Sequence, residues 1–200
     1  MGLTLEIIGL IIFLGAHVFV SLRDRRAALI SNIGRGPYFG LFSVAAIVGL
    51  VLIGYGFHQY RLVDGPISLW YPPHWTRHIV EAAMWPASIA VVAAYFPGNI
   101  KRVLKHPMLV GVKLWAAAHL CANGDLGGII LFGAVLAWAV YDRITLKRRS
   151  DPGAPAIPAA GWRNDAIAVV VGTIFYLALG FVFHPIVIGV PAFATPPLGH

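Results

Sequence analysis

The sequence predicts an all-α membrane protein, a polytopic bundle of about six transmembrane helices whose N and C termini are both outside, on the periplasmic side. Hydrophobic residues make up 58% of the 200 residues and charged residues only 12%. A soluble domain carries about 25% charged residues and could not bury this much apolar surface. The basic residues also alternate between successive loops, as they do in multi-pass membrane proteins.

Each predicted helix is an apolar segment of about 15 to 20 residues, close to what a helix needs to cross about 30 Å of hydrocarbon. We expect one domain over residues 1–200, with a cytoplasmic linker rich in Pro, Gly and Ala at 150–161. Four prolines between Pro185 and His200 predict an irregular strip at the outer interface. The predicted spans are residues 3–22, 38–57, 79–96, 108–122, 126–141 and 166–183.

The distribution of basic residues sets the predicted orientation. Twelve of the fifteen Lys and Arg residues fall in the first, third and fifth connecting segments, whereas the second and fourth hold only Arg61 and Arg77. By the positive-inside rule, the first group faces the cytoplasm. The net charge of +7 is therefore interpreted as a topology signal. We expect contact with membrane lipid and no binding of nucleic acid.

Ionisable residues inside apolar spans are costly, so each is a functional candidate. Glu6 and His17 are eleven residues apart and share nearly one face of the first helix, with Leu10 and Phe13 between them. Either a packing role for His17 or a role in cofactor binding or proton transfer accounts for this stripe. The other candidates in spans are Glu81, Lys113 and His119, and those at span ends are His58, His78, His106 and His184.

The fourth segment is the most informative. Trp115, His119 and Asn123 follow one another at intervals of four and share one helix face. A neutral imidazole next to an amide can ligate a metal or haem iron, although Asn123 to Asp125 is also ordinary turn chemistry.

A second histidine group follows two prolines before the third segment. His74, His78 and Glu81 have a spacing that could bind a divalent metal, and it is equally typical of an interfacial helix end.

Short motifs run along nearly the whole chain. They are Gly15-Ala-His17 with Ser21, then Gly34, Tyr38 and Ser43, then His106-Pro107, Lys113-Leu-Trp115, His119-Leu120, Asn123-Gly-Asp125, Leu131-Phe-Gly133 and Trp138-Ala139, and finally His184-Pro185 with Gly189-Val190-Pro191. In these motifs the chain resembles the NnrU family of bacterial membrane proteins.

The resemblance implies a function in bacterial denitrification, supporting nitrite and nitric oxide reduction, in the inner membrane and with proteins of the nitrite and nitric oxide reductase system as partners. The family also includes plant zeta-carotene isomerase, which holds a b-type haem between two histidines. By this resemblance, His17 and His119 are the expected axial ligands of the haem iron. Other residues expected at the cofactor are Trp115, Asn123, Asp125, Lys113 and His106.

Two points qualify that expectation. By the resemblance, a serine is expected directly after the first-helix histidine, whereas Val18 follows His17 here and cannot supply a side-chain hydrogen bond to support the ligand. The depth of His119 also depends on where helix four enters the membrane. Entry at Pro107 places His119 about 9 Å deeper than His17, whereas entry at Lys113 places both at one level.

Two other readings stay open, and whether the chain is an enzyme is undecided. One is a membrane enzyme, similar either to the carotenoid isomerase or to S-adenosylmethionine-dependent methyltransferases. In the latter, Lys105 and His106 would contact the cofactor carboxylate. Those enzymes usually carry a catalytic acidic or Arg-Glu pair on a later helix, for which only Asp142 and Arg143 offer anything similar here. The other is a structural or assembly subunit whose buried polar residues serve helix packing.

Overall fold

The computed structural model describes residues 1–148 and 161–193. These residues form an all-α structure, as predicted, with an isolated β-bridge between Ser68 and Asp125. All of the predicted linker except Gly161 lies outside the described residues. The helices are α1 (Gly2–Ser21), α2 (Arg23–Ile33), α3 (Arg35–Gln59), α4 (Thr76–Ala93), α5 (Asn99–Leu104), α6 (Pro107–Ala122), α7 (Leu126–Lys147) and α8 (Trp162–Ala178), and π-helical turns extend α3 over Tyr60–Asp64 and α8 over Leu179–Ile188.

The helices group into two compact units. The first unit contains α1, α2, α3 and α7, and the second contains α4, α5, α6 and α8. In the first unit α1 packs mainly on α3 and α7, and in the second unit α4 packs mainly on α6 and α8. His17 therefore belongs to the first unit and His119 to the second.

Glycines allow α1 and α3 to pack closely as antiparallel neighbours. A Cβ atom on Gly9 would lie 2.8 Å from the carbonyl oxygen of Gly49, and a Cβ on Gly49 would lie 3.0 Å from that of Gly9. Gly2 and Gly56 meet in the same way, one heptad earlier in α1 and one heptad later in α3. Small residues at such crossings let two backbones approach, which favours helix association in a membrane.

Helix α7 lies parallel to α1 and in register with it. Both helices therefore run in the same direction. Three pairs, each separated by 121 residues in the chain, connect the two helices: Glu6 with Gly127, His17 with Trp138, and Ser21 with Asp142.

Close glycine contacts also build the second unit. A Cβ on Gly111 of α6 would lie 2.8 Å from the carbonyl oxygen of Ala87 in α4. On the other side of α4, a Cβ on Gly172 of α8 would lie 2.6 Å from the Cα atom of Ile89. Helix α4 is thus held between two helices that carry glycine where they meet it.

Four of the predicted spans fall on helices that are long and apolar enough to cross a membrane. Helix α6 is apolar but has only 16 residues, and α4 carries Arg77, His78 and Glu81 in its first turns. The count of six spans therefore stays a prediction. The four long apolar helices among the described residues are Gly2–Ser21, Arg35–Asp64, Leu126–Lys147 and Trp162–Ile188.

The segments between the predicted spans contain more helix than the sequence predicts. Helices α2 and α5 occupy two of the predicted cytoplasmic loops. The prediction of an irregular strip that begins at Pro185 was wrong for its first residues, because π-helical turns include Pro185 and continue to Ile188. Proline has no backbone donor, yet the π-helical turns continue past it and stop at Gly189, whose φ is 76°.

Candidate functional site

His17 lies near the C-terminal end of α1 and is anchored to its own helix. Its Nδ1 atom is 2.7 Å from the carbonyl oxygen of Phe13, one turn earlier. A carbonyl can only accept, so Nδ1 carries the proton and Nε2 carries the lone pair. A histidine held in this way presents Nε2 as a ligand with a fixed ring orientation.

Aromatic rings surround the imidazole of His17 within the first unit. Their centroids lie 4.2 Å away for Phe13, 5.2 Å for Phe42 and 5.3 Å for Trp138. The indole Nε1 of Trp138 is buried and has no hydrogen-bond partner among the described residues. A buried N–H group normally has an acceptor. The surroundings of His17 thus contain a donor that a bound polar group could satisfy.

His119 of α6, in the second unit, repeats the geometry of His17. Its Nδ1 is 2.8 Å from the carbonyl oxygen of Trp115, again one turn earlier, and the Trp115 ring centroid is 5.4 Å from its own. Only 9% of His119 is exposed. The same reasoning gives the tautomer with the lone pair on Nε2. Each unit therefore contains one histidine that bonds to the carbonyl of an aromatic residue four positions earlier.

His184 is a site residue whose position beside His119 the sequence does not predict. It lies in the π-helical end of α8, and its ring stacks on His119 with centroids 6.3 Å apart. Its Nδ1 is buried without a partner among the described residues. The sequence identified His184 only as a span-end histidine and as part of a His-Pro motif. Nothing in its spacing places it beside His119, because this contact joins distant helices.

The remaining residues expected at the cofactor divide between the two units. Lys113 lies on α6, half-buried, and His106 immediately precedes that helix, both in the second unit. Asn123 and Asp125 belong to the first unit. Asp125 caps α7 by accepting from the amide of Gly128 at 2.9 Å. It thus lies at the end of α7 far from the contact between His17 and Trp138, and its predicted role at the cofactor stays a prediction.

The group His74, His78 and Glu81 lies in the second unit. Glu81 accepts from Arg77 at 3.2 Å and lies 3.4 Å from Nδ1 of His78. Within residues 1–148 and 161–193, no group of three or more His, Cys, Asp or Glu side chains is arranged to hold a metal ion. This arrangement corresponds to the interfacial interpretation of that helix end.

The methyltransferase interpretation used residues that also divide between the units. Lys105 and His106 lie in the second unit, and Lys105 ends α5 with an unusual positive φ of 61°. Asp142 lies in the first unit, where it accepts a hydrogen bond from the hydroxyl of Ser21 at 2.9 Å. That bond gives Asp142 a structural task in joining α1 to α7.

The long apolar helices and the anchored internal histidines define an all-α integral membrane protein. The comparison with known families is specific. The family model described as NnrU protein matches residues 5–192, so the chain belongs to the NnrU family, which confirms the resemblance. Neither a curated protein nor a solved structure matches the chain.

Proposed function

We propose that this chain is a haem-binding NnrU-type protein of the bacterial inner membrane that supports nitrite and nitric oxide reduction. Membership of the family carries the denitrification role, and the anchored imidazoles of His17 and His119 support the haem. In this proposal the two histidines supply the axial ligands of a b-type haem. The reductase proteins of the same pathway are its proposed partners.

The surroundings of each histidine fit such a ligand. Both rings are fixed by a bond from Nδ1 to their own helix, which leaves the lone pair on Nε2. A buried polar atom without a partner lies beside each ring, Nε1 of Trp138 near His17 and Nδ1 of His184 near His119. These atoms are groups that a bound polar molecule could satisfy. A haem, when bound, would supply one-electron transfer whose potential depends on its axial ligands.

The apolar surface of the helices is consistent with contact with lipid. Many large apolar side chains of α3 and α8 are exposed, among them Ile47, Val51, Val170 and Ile174. Exposed apolar area of this size on a water-soluble protein would be an aggregation hazard. In a bilayer these side chains meet acyl chains, which supports the proposed location in a membrane.

An optical spectrum tests the haem proposal. The full chain, expressed with haem supply and purified in detergent, should show the Soret band of a six-coordinate b-type haem. The His17→Ala and His119→Ala variants should each lose that spectrum or change to a five-coordinate form. The His58→Ala variant, which removes an exposed histidine of α3, is the matched control and should keep the wild-type spectrum. A colourless wild-type protein that takes up no added haem would overturn this part of the proposal.

Complementation tests the physiological role. In a denitrifying bacterium that lacks its own copy, the wild-type gene should restore consumption of nitrite and nitric oxide. Variants of His17 and His119 should fail to restore it although they accumulate in the membrane. Full denitrification with both variants would instead favour a structural subunit, in which these histidines serve only packing.

A further inference from the structure

The side chain of Glu6, an acidic residue of α1, is fully buried. Its exposed fraction is 0%, and neither carboxyl oxygen has a hydrogen-bond partner among the described residues. Glu6 lies between Gly2 and Gly9 along α1, on the face that packs against α3. The glycines draw α3 against this face and enclose the carboxyl group.

Neighbouring backbones hold Glu6 in place. A Cβ on Gly56 of α3 would lie 2.9 Å from the Cα atom of Glu6. A Cβ on Gly127 of α7 would lie 3.0 Å from Oε2 of Glu6 and 2.6 Å from the ring of Tyr60. The carboxyl group is therefore surrounded by α1, α3, α7 and the tyrosine ring, all within the first unit.

The charged groups around Glu6 bind to one another and not to it. Arg61 donates to Oδ2 of Asp125 at 3.0 Å, and the N-terminal amine bonds to Asp64 at 2.8 Å. The hydroxyl of Tyr60 accepts from the amide of Ile67 at 2.8 Å. Glu6 thus faces a tyrosine ring and the first turn of α7, which Asp125 caps two residues before Gly127.

An ionised carboxylate without donors, beside a second carboxylate and away from water, is unfavourable. We propose that Glu6 is a proton-binding site inside the first unit: it carries a proton on its carboxyl group and exchanges it through Asp125. Asp125 is the neighbouring carboxylate, and Arg61, which holds it, reaches the surface with 28% of its side chain exposed. Proton-carrying carboxyl groups inside membrane bundles are typical of proton pathways.

This site is independent of haem. Glu6 and Gly127 pair at the N-terminal ends of α1 and α7, whereas His17 and Trp138 pair eleven residues further along both helices, about 16 Å at the helical rise. Loss of the proton site would leave the spectrum of a bound haem in place, and loss of haem would leave the proton site in place. The two proposals therefore fail separately.

Infrared spectroscopy of the full chain in liposomes tests the proposal directly. The wild-type protein at neutral pH should show the C=O stretching band of a protonated carboxylic acid, and the band should shift in D₂O because the proton exchanges. The band should be absent in Glu6→Gln and moved in frequency in Glu6→Asp, which keeps the acid. Glu81→Gln is the matched control, because Glu81 is paired with Arg77, and it should leave the band unchanged. Absence of any protonated-carboxyl band in the wild-type protein would overturn the proposal without any question of variant folding.

A carbodiimide provides a second readout. Dicyclohexylcarbodiimide adds to protonated carboxyl groups in apolar surroundings, so mass spectrometry should find the label on Glu6 and not on Glu81. Asp125→Asn should slow the exchange of the acid band in D₂O, since it removes the carboxylate through which the proton leaves. Protection of Glu6 from the label by sodium or potassium ions would show a cation site and overturn the assignment to a proton.

Discussion

The hydroxyl of Ser21 donates to Oδ1 of Asp142 at 2.9 Å and joins the C-terminal ends of α1 and α7. The bond is the last of the three contacts between these parallel helices. The bond also gives a structural reason for the acidic Asp142 directly after a predicted span, beside Arg143 in a basic segment. This reason does not depend on catalysis.

Removing this bond should weaken the first unit measurably. We expect Asp142→Ala to lower the free energy of unfolding by about 1 kcal/mol, since the Ser21 hydroxyl loses a charged acceptor in a partly buried position. Thermal unfolding in detergent, followed by tryptophan fluorescence, measures the effect. Asp24→Ala, which removes an exposed carboxylate of α2, should change the midpoint little. Equal effects of the two variants would mean that the bond contributes nothing.

The glycine contact between α1 and α3 should tolerate no larger side chain. Gly9→Val would place a Cβ 2.6 Å from the backbone nitrogen of Ile53, and separation of the helices should cost about 2 kcal/mol or more. Gly15→Val is the matched control on the same helix, because no atom lies within 4 Å of a Cβ there. The measurement is the urea or thermal midpoint of both variants in the same detergent. A tolerated Gly9→Val would show that the two helices do not need this close approach.

The sequence predicted the apolar helices, which the structure confirms, and a shared face of Glu6, Leu10, Phe13 and His17 on α1. Glu6 and Leu10 are buried, and the ring of Phe13 lies against that of His17, as a period near 3.6 requires. Such patterns depend only on residues that are close together in the sequence. The stacking of His184 on His119, by contrast, joins helices that are distant in sequence, so only the folded chain could reveal it.

The same difference applies to the contacts of Asp125 and Trp138. The family resemblance places Asp125 at the cofactor, and this stays a prediction. In the structure Asp125 caps the start of α7 and pairs with Arg61, an ion pair that no local pattern predicts. Trp138 was noted only in a motif, and its unpaired indole nitrogen depends on neighbours that no sequence pattern identifies.

Helix α5 should depend on Asp165 for its position on α8. The carboxylate of Asp165 accepts from the amide of Ile100 at 2.9 Å and from Nδ2 of Asn99 at 2.8 Å, at the start of α5. A carboxylate that lies against the first turn of a short helix accepts from amides that the helix itself leaves unpaired. We expect Asp165→Ala to speed amide hydrogen exchange over residues 99–104, with α6 unaffected. Asp165→Asn, which keeps an acceptor, should restore part of the protection, and unchanged exchange in Asp165→Ala would contradict this role.

The ion pair of Arg61 with Asp125 should contribute more than that of Arg77 with Glu81. Asp125 exposes 6% of its side chain and Arg61 28%, whereas Glu81 exposes 22% and Arg77 41%. Arg61→Met leaves the carboxylate of Asp125 buried without its cation, although the amide of Gly128 still donates to it, and we expect a loss of about 2 kcal/mol. Arg77→Met breaks an exposed pair and should cost less than about 1 kcal/mol.

A double-mutant cycle with Asp125→Asn separates the interaction energy of the Arg61–Asp125 pair from the contributions of the individual side chains. If the interaction carries the loss, Arg61→Met should cost much less in the Asp125→Asn background than in the wild type. An unchanged cost would show that Arg61 stabilises the first unit through its stacking on Phe57. The guanidinium carbon of Arg61 lies 5.2 Å from the centroid of the Phe57 ring.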